Sequence, residues 1–600
     1  MMKKICFVAF LLMMLQICLY SQDTVTFSHS GGFYDNSFNL ELTCNKAHHI
    51  RYTTNGGTPT ANSMLYEAPL FLDESLYSHS NIYTIQISPE DLIYVPESVN
   101  HCIVIRAAAF DDDGNCVSDV LTNSYFINTL GCDSHGLPVI SICADSLDLF
   151  DYYTGIFVPG VYFDPQDPYW TGNYYQSGRD WEIMMNIEFY EIDNTGINQK
   201  AGLRTHGGNG RRFQQKGMKI YAREEYGKKR FKHKFFDNIS LNDFKHLTIK
   251  PLRSSWNQAG IQDHVCNMIV SSGLDIEPLA SRPIILFLNG EYWGIYFIHE
   301  KPDERYLENH LNADLESLNI MSNWEHLVDY GDGTQFINMM LWLETADLSN
   351  PDDYAIVDNF FDISSFIDYQ IFELYSANLD WPSNNMCSWQ QEGGKWRFFF
   401  KDGDACFIGI NFDVFANATT DGQLATLLFR KLLANEGFVA RFSERFVELM
   451  DTHLSYSKIS HHLTEVKNDI QQEIPTQSQR FGYPQNYDTW MEDINYTDFF
   501  LRKRTQYLRE MLNEFISYYE IDEHIVKIYP NITSGQINII ITGSLKRQSE
   551  ISIYDMMGKI VFSKPLDNAY EGDVISFNPN LKPGIYLLKI GVFTQRIVIQ

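Results

Sequence analysis

The alternation of apolar and polar positions divides this chain into β-rich flanks around a centre that starts in strands and ends in helices. From about residue 23 to 128 the segments are short and broken by turn residues. Ile50-Arg-Tyr-Thr-Thr-Asn-Gly-Gly-Thr-Pro59 is a strand running into an Asn-Gly-Gly turn, Ile103–Phe110 is a second strand, and residues 124–127 close the set. Gly136-Leu-Pro-Val-Ile-Ser141 opens a new segment, in which residues 184–190 and 219–222 read as strands. Ile284-Ile-Leu-Phe-Leu288, then Asn289-Gly290, then residues 291–298 read as a hairpin, because Asn-Gly favours the positive φ angles of a two-residue turn. The aromatic run 396–400 reads as a buried strand. Beyond it the period becomes helical. Leu424, Leu427, Leu428 and Leu432 share one face, as do Phe438, Phe442, Phe446 and Leu449, and residues 502–516 form another amphipathic stretch. From about 525 the pattern returns to strands, at 536–541, 551–562, 581–590 and 596–600.

Six hundred residues exceed a single core, so several domains are expected. The pattern predicts a multidomain chain: an all-β N-terminal module (22–128), an α+β central domain (136–520) and an all-β C-terminal domain (525–600). Residues 1–21 read as a signal peptide, with Lys3 and Lys4 before an apolar run from Ile5 to Leu19 and Ser21 at the cleavage point. No other long apolar run follows, so an exported mature chain without a transmembrane span is expected. The formal charge of −30 excludes a general nucleic-acid binder, whose surface is basic. Of ten cysteines, eight follow the leader, scattered and without metal-binding spacing; they suit either disulfides in an oxidising compartment or small buried apolar residues.

The candidate chemistry gathers in residues 376–407. Asp380-Trp-Pro-Ser-Asn384-Asn385 is a loop, since Pro382 opposes a helix there, and the strand after it delivers Lys401-Asp402-Gly403-Asp404. Two oxygen-rich loops flanking a strand suit a hard divalent ion that completes its shell with phosphate oxygens. The Asp380-x4-Asn385 spacing equals that of the protein-kinase catalytic loop, with Asp402 then in the part of the second metal-binding Asp. Asp, Asn, Pro and Gly are also ordinary turn formers, and two turns around a strand need no metal. Upstream, Arg204-Thr-His-Gly-Gly-Asn-Gly-Arg-Arg-Phe-Gln-Gln-Lys216 is a Gly-rich turn with Arg204, Arg211, Arg212 and Lys216 near it, a composition that suits phosphate or a plain hairpin. Glu300, after the 284–298 hairpin, suits a partner for a nucleotide-positioning Lys, or a solvated strand end.

Three resemblances overlay this reading. Tyr52-Thr-Thr-Asn55-Gly, then Thr-Pro59 and Leu65-Tyr66-Glu-Ala-Pro69, resemble the small Ig-like β-sandwich at the C-terminus of chitobiase and β-hexosaminidase enzymes, which implies an accessory module with glycan contact or a spacer role. Ile528-Tyr-Pro-Asn531, the Tyr554-Asp-x-x-Gly558-Lys strand pair and Pro583-Gly584-x-Tyr-x-Leu-Lys resemble the C-terminal sorting domain of the type IX secretion system of Bacteroidetes-like bacteria, with Ile532 where Pro is usual. It implies export across the outer membrane by that machinery, to the cell surface or the medium. The middle resembles the spore-coat protein H (CotH) kinase-like family. The blocks that carry the likeness are Gly136–Ser141, Arg204-x-His206-Gly-Gly-x-x-Arg211 with Gln215-Lys216, Tyr226-Gly227, Leu252-Arg253 with Trp256 and Asp263, Asn289-Gly-Glu-Tyr-Trp-Gly294 with Glu300-Lys301, Asp380–Asn385, and Trp396 with Asp402-x-Asp404. Gly210, Gly217, Gln262 and Ala405 depart from the family pattern.

The resemblance implies an atypical, diverged protein kinase fold using ATP and Mg²⁺ or Mn²⁺. Carried over by motif, Asp380 is the catalytic Asp, Asn385, Asp402 and Asp404 hold metal, Lys216 meets the phosphates, Glu300 positions Lys216, and Arg211 covers the phosphates. The expectation is an exported kinase acting on Ser or Thr hydroxyls of secreted or surface proteins. The alternative is a non-catalytic surface adhesin or glycan-associated scaffold that keeps the fold. A glycoside hydrolase using Asp380 with Asp402 or Asp404 is weaker, because paired Asn residues and a Lys/Arg cluster suit phosphate better than a sugar cleft.

Overall fold

A computed structural model of the protein describes residues 23–46, 48–76, 81–89, 92–127, 136–254, 256, 258–323, 327–519, 526–541, 550–566, 573–590 and 593–600. The expected leader at 1–21 and Cys132 lie outside the described residues. The chain divides into two compact units, the first formed by residues up to 334 with 361–410 and 452–503.

In the first unit, the N-terminal module has a five-stranded sheet in the order Gly32–Tyr34, Leu121–Ile127, Ile103–Phe110, His49–Thr53, Met64–Leu65. Every residue of Ile103–Phe110 is buried. Ile103, Ile105, Ala107 and Ala109 fill the module core with Val25, Leu42, Tyr125 and Ile127, as the period of two requires.

The centre of the unit is a closed seven-stranded barrel. Its strands are β1 (Val139–Ala144), β2 (Ile183–Tyr190), β3 (Gly196–His206), β4 (Gly217–Tyr221), β5 (His246–Pro251), β6 (Ser281–Leu288) and β7 (Glu291–His299). The order is β1-β2-β3-β4-β5-β7-β6, closed by a parallel pairing of β6 with β1. Strand alternation sorts the side chains. Ile142, Ile187, Leu203, Ile220, Ile249, Leu286 and Ile298 fill the interior. The opposite faces of β3, β4, β5 and β7 carry polar and cationic residues in register: Arg204 pairs with Lys219, Lys219 with Thr248 and Thr248 with His299, while Lys250 stands opposite the buried Phe297. The hairpin expected at Asn289-Gly290 joins β6 to β7, with φ of 47° and 86° at the two turn residues.

A second sheet holds β8 (Leu318–Ser322), β9 (Leu327–Tyr330), β10 (Cys387–Gln391) and β11 (Arg397–Phe399), in the order β9-β8-β10-β11. Helix α1 (Gln262–Ser271) follows β5, α2 (Glu304–Leu311) follows β7, and α3 (Ile363–Ser376) precedes β10. The ring of Phe366 meets Phe398 and that of Phe372 meets Phe400, at centroid distances of 5.2 and 4.9 Å, so α3 is packed on β11.

The second unit comprises Gln335–Phe360, Asn411–Asp451 and Arg504–Gln600. The expected helices appear as Leu424–Leu432 and Glu436–Asp451, burying Phe438, Phe442, Phe446 and Leu449. The stretch expected at 502–516 is part of a longer helix, Tyr487–Tyr519. The C-terminal strands form a three-stranded and a five-stranded sheet around Ile537, Ile539, Ile551, Ile553, Leu588 and Ile597. The chain is thus multidomain, β-rich at both ends and mixed in the centre. The seven described cysteines, Cys44, Cys102, Cys116, Cys143, Cys266, Cys387 and Cys406, are free thiols, and five of them are buried.

The N-terminal module is seated on the barrel through buried carboxylates. The side chain of Glu291 accepts the N–H groups of Ile82 and Tyr83 at 2.7 and 3.0 Å. The fully buried Glu188 accepts the Ser124 hydroxyl at 2.5 Å, the Ser124 N–H at 3.1 Å and the Tyr190 hydroxyl at 2.5 Å. Burial pushes the Glu188 carboxyl up to about 7, against the opposing effect of those bonds. A raised carboxyl favours the folded state at low pH, and that advantage is lost as pH rises through the folded value. Between the ordinary range of glutamate and pH 7, stability should fall by about 3 kcal/mol from this group. Denaturant titrations of Glu188→Gln across pH 4–8 should show that slope removed, and an unchanged slope would place the titrating group elsewhere.

Candidate active site

The loop that carries Asp380 is set by helix α3 and the β10–β11 hairpin. Helix α3 ends at Ala377 in a left-handed conformation, and the loop after it is tied down by Trp381 Nε1 donating to the Tyr369 hydroxyl at 3.0 Å. The hairpin pairs Cys387 with Phe399. Its entry, at Asn385, and its exit, at Asp402, therefore lie at the same end of the sheet. Asn385 and Asp402 both have φ of 63°, a conformation that Asn and Asp tolerate better than most residues and that clusters at functional sites. Asp380 is half-buried and hydrogen-bonded to Asn385; desolvation and the nearby Asp402 raise its carboxyl above the ordinary range.

Lys250, at the end of β5, joins this loop to helix α1. Its ammonium donates to Asp263 at 2.7 Å and to Asp402 at 3.1 Å. Asp263, in the first turn of α1, also accepts the Gly403 N–H at 2.8 Å. A side chain at Gly403 would crowd that bond, since its Cβ would lie 3.1 Å from both Asp263 Cα and Cys266 Sγ. Burial works against ionisation of Asp263, but Lys250, His299 and the Gly403 N–H hold it well below the usual carboxylate range. The same carboxylates, Asp263 and Asp402 with Asp404, hold Lys250 well above its ordinary value despite desolvation. Asp404 is pushed up to about 7 by desolvation and by Asp402, Asp263 and Asp380, with Lys250 opposing. Lys250 thus bonds Asp263 and Asp402 and acts on Asp404, with Asp380 beside Asp402, and that surplus of carboxylates suits a bound cation.

The outer face of β3, β4 and β5 bears the opposite sign. Lys219 is brought down to about 8 by desolvation and by Lys301. His206 is held neutral, far below its ordinary value, by desolvation and by Lys219, Lys301, Arg211 and Lys250. Lys250 belongs to both sets. A cavity of about 220 Å³ opens beside this face, lined by Lys219, Arg223, Lys245, Lys301 and Arg305 together with Asp303 and Glu304; Asp303 pairs with Lys219 at 3.8 Å and Lys301 at 3.4 Å.

Three expected site residues do other work. The Lys216 side chain is wholly buried, and its ammonium donates to the carbonyls of Ile87, Arg211 and Phe213 at 2.7, 2.7 and 2.9 Å over the Tyr174 ring. Glu300 accepts from the Ala280 N–H at 3.1 Å and pairs with His310 at 2.7 Å, so the expected Lys216–Glu300 pair is not formed. In both cases the side chain meets a nearer partner on a packed element. Arg211 bonds the carbonyl of Gly207 in its own loop and that of Tyr175 in the earlier 173–175 segment, and lies over the Tyr175 ring at 5.7 Å. Sequence reasoning passed over Lys219 and Lys250 and gave no role to Asp263 or Lys301. The outward positions of His246-Leu-Thr-Ile-Lys250, opposite Leu247 and Ile249, were the available signal.

For a divalent ion, the donor chemistry of Asp380, Asn385, Asp402 and Asp404 fits. Among the described residues, no group of three or more His, Cys, Asp or Glu side chains is spaced to hold a metal by itself. An ion here would take one or two protein carboxylates and complete its shell with phosphate oxygens, as Mg²⁺ commonly does. By charge, Lys250, with Lys219 and Lys301 beside Asp303, would be the residues to meet the phosphates of ATP.

Comparison with known families decides the kinship. A family model described as CotH kinase protein matches residues 203–508, just over half of the chain. The chain belongs to the CotH kinase protein family. The CotH match contains β4 to β11 and every residue of the acidic set. Two further models flank the CotH region: one described as Fn3 associated matches residues 40–125, and one described as secretion system C-terminal sorting domain matches 527–600. The sorting domain directs this CotH protein to export by type IX secretion, as a secreted or cell-surface protein. Among the described residues no helix is long and apolar enough to cross a membrane. No curated protein matches the chain.

The two lysines of β4 and the turn before it separate structure from chemistry. Lys216→Met should orphan three buried carbonyls and cost about 3 kcal/mol of stability. Lys219→Met should stay within about 1 kcal/mol of the parent while weakening nucleotide binding. Denaturant melts with calorimetric titration of ATP test both, and the reverse pattern would restore Lys216 as the phosphate-facing lysine.

Proposed function

We propose that the protein is an exported, metal-dependent atypical protein kinase that transfers the γ-phosphate of ATP to Ser or Thr hydroxyls of secreted or surface proteins. The kinase-like fold is assigned to residues 136–520, between an accessory β-sandwich at 22–128 and the sorting domain at 525–600. The observation that carries the reading is the meeting, at Lys250, of an acidic set with a cationic strand face. A nucleotide–metal complex has the complementary pattern, anionic phosphates beside a divalent cation. Asp380 orients the acceptor hydroxyl and takes its proton, a role suited to a carboxyl above its ordinary range. Asn385, Asp402 and Asp404 hold Mg²⁺ or Mn²⁺, which when bound neutralises phosphate charge. Lys219, Lys250 and Lys301 face the phosphates. Lys216, Arg211 and Glu300 support the loops and strands around them.

Asp380→Asn should lower transfer from γ-labelled ATP to a Ser/Thr peptide library at least about 100-fold, with an unchanged melting curve. Full activity in that variant would remove Asp380 from the mechanism.

A second reading, a non-catalytic scaffold, draws on the enclosed Lys216 and the unformed Lys216–Glu300 pair. Calorimetry with ATP and Mg²⁺ or Mn²⁺, comparing the parent with Asp402→Ala, separates the two. Metal-dependent binding lost in the variant supports the kinase; no binding by the folded parent supports the scaffold.

A further inference from the structure

We propose that in the exported protein Cys266 and Cys406 are joined by a disulfide that locks helix α1 to the loop carrying Asp402 and Asp404. The cross-link rests on packing and on the compartment, so it is independent of the phosphotransfer reading.

The two sulfurs are brought together by elements already in contact. Cys266 follows Asp263 by three residues on α1, so both side chains leave the same helix face. That face meets Gly403. The Asp263 carboxylate accepts the Gly403 N–H at 2.8 Å, and Cys266 Sγ would lie 3.1 Å from a Cβ built on Gly403. The Cys406 N–H donates to the Gly403 carbonyl at 3.0 Å, so the chain turns back within three residues and returns Cys406 to the same place. Backbone bonds on either side of Cys406 hold the turn: the Leu379 N–H donates to the Ala405 carbonyl at 3.2 Å, and the Phe407 N–H to the Ser376 carbonyl at 2.7 Å. The Cys266 and Cys406 thiols are hydrogen-bonded to each other. Among the described residues they are the pair of cysteines so joined. The thiols of Cys44, Cys116 and Cys143 donate instead to oxygens of Asn45, Ser118 and Gly56, at 3.7, 3.3 and 3.5 Å, and Cys387 is hydrogen-bonded to Ser322. A disulfide needs Cα atoms within about 7 Å and side chains that point at each other, a demand best met by thiols already in contact.

The sorting domain takes the chain out of the reducing cytoplasm, into compartments where disulfides form and persist. Both side chains are wholly buried in the folded protein, so oxidation belongs to export, before α1 closes on the loop. The oxidant is a disulfide of that compartment, carried by a dithiol oxidase or a small molecule. One cysteine thiolate attacks it, forming a mixed disulfide and releasing one thiol. The second cysteine then attacks the mixed disulfide at the first cysteine's sulfur, forming the S–S bond and releasing the second thiol. The protein loses two protons and two electrons, and the oxidant is reduced to two thiols. The bond closes a loop of about 140 residues, which restricts the unfolded chain strongly. It sits beside the Lys250 bridge and fixes Asp263 against the strand of carboxylates that follows β11.

The test is peptide mapping by mass spectrometry of the full mature chain, recovered from the medium or surface of the producing cells and alkylated before digestion without reductant. A linked peptide containing Cys266 and Cys406 is expected. Recovery of both residues alkylated, or of either joined to another cysteine, would overturn the proposal. A second measurement uses stability. Reductant should lower the guanidinium midpoint of the parent by about 0.5 M and leave that of the Cys266→Ala, Cys406→Ala double variant in place. A parent that ignores reductant, or an equal response in parent and variant, would also count against the bond.

Discussion

The arrangement of this protein's acidic centre depends on one ammonium group. Lys250 lies between Asp263 on helix α1 and Asp402 after β11, and without it two carboxylates would face each other across a partly desolvated gap. The bridge ties the barrel, the helix and the second sheet at one point. Among the described residues Asp380 and Asp404 have no ion pair of their own, and desolvation and neighbouring carboxylates raise both carboxyls, at Asp404 against the opposing charge of Lys250. The stabilising contact and the open chemical demand of the site are therefore parts of one electrostatic balance.

Charge is separated here by strand alternation. On β3, β4 and β5 the inward positions are mostly apolar and the outward ones polar or cationic, so a single barrel wall serves as core on one side and as a charged surface on the other. The acidic loop arrives from a different sheet, carried by a hairpin whose two ends meet. Rigid elements thus hold both charge sets, as an electrostatically preorganised site requires.

The N-terminal module contributes more than a spacer would. The Glu291 carboxylate ties the Ile82 and Tyr83 amides to the start of β7, and Lys216 binds the carbonyl of Ile87. The barrel hairpin and the turn before β4 are completed by module backbone. Buried groups of this kind cost stability unless every one is paired, so module and barrel depend on each other.

The sequence by itself determined what is local. The strands of the flanks, the Asn289-Gly290 hairpin, the helices at 424–432 and 436–451 and the loop held open by Pro382 follow from period, turn chemistry and the limits of proline. It also named the oxygen-bearing residues Asp380, Asn385, Asp402 and Asp404, because their types and spacing are written along one short stretch. Tertiary structure alone decided which cation meets them. Lys216 lay beside a Gly-rich turn and Lys250 in an ordinary alternating strand, yet the first is enclosed by carbonyls and the second reaches the carboxylates. Closing the barrel placed β5 against α1 and β11, elements separated along the chain, and set the electrostatic role of each lysine by its surroundings. A lone lysine's position in sequence carries no information about distant partners, and its charge acts only across the distances that folding creates.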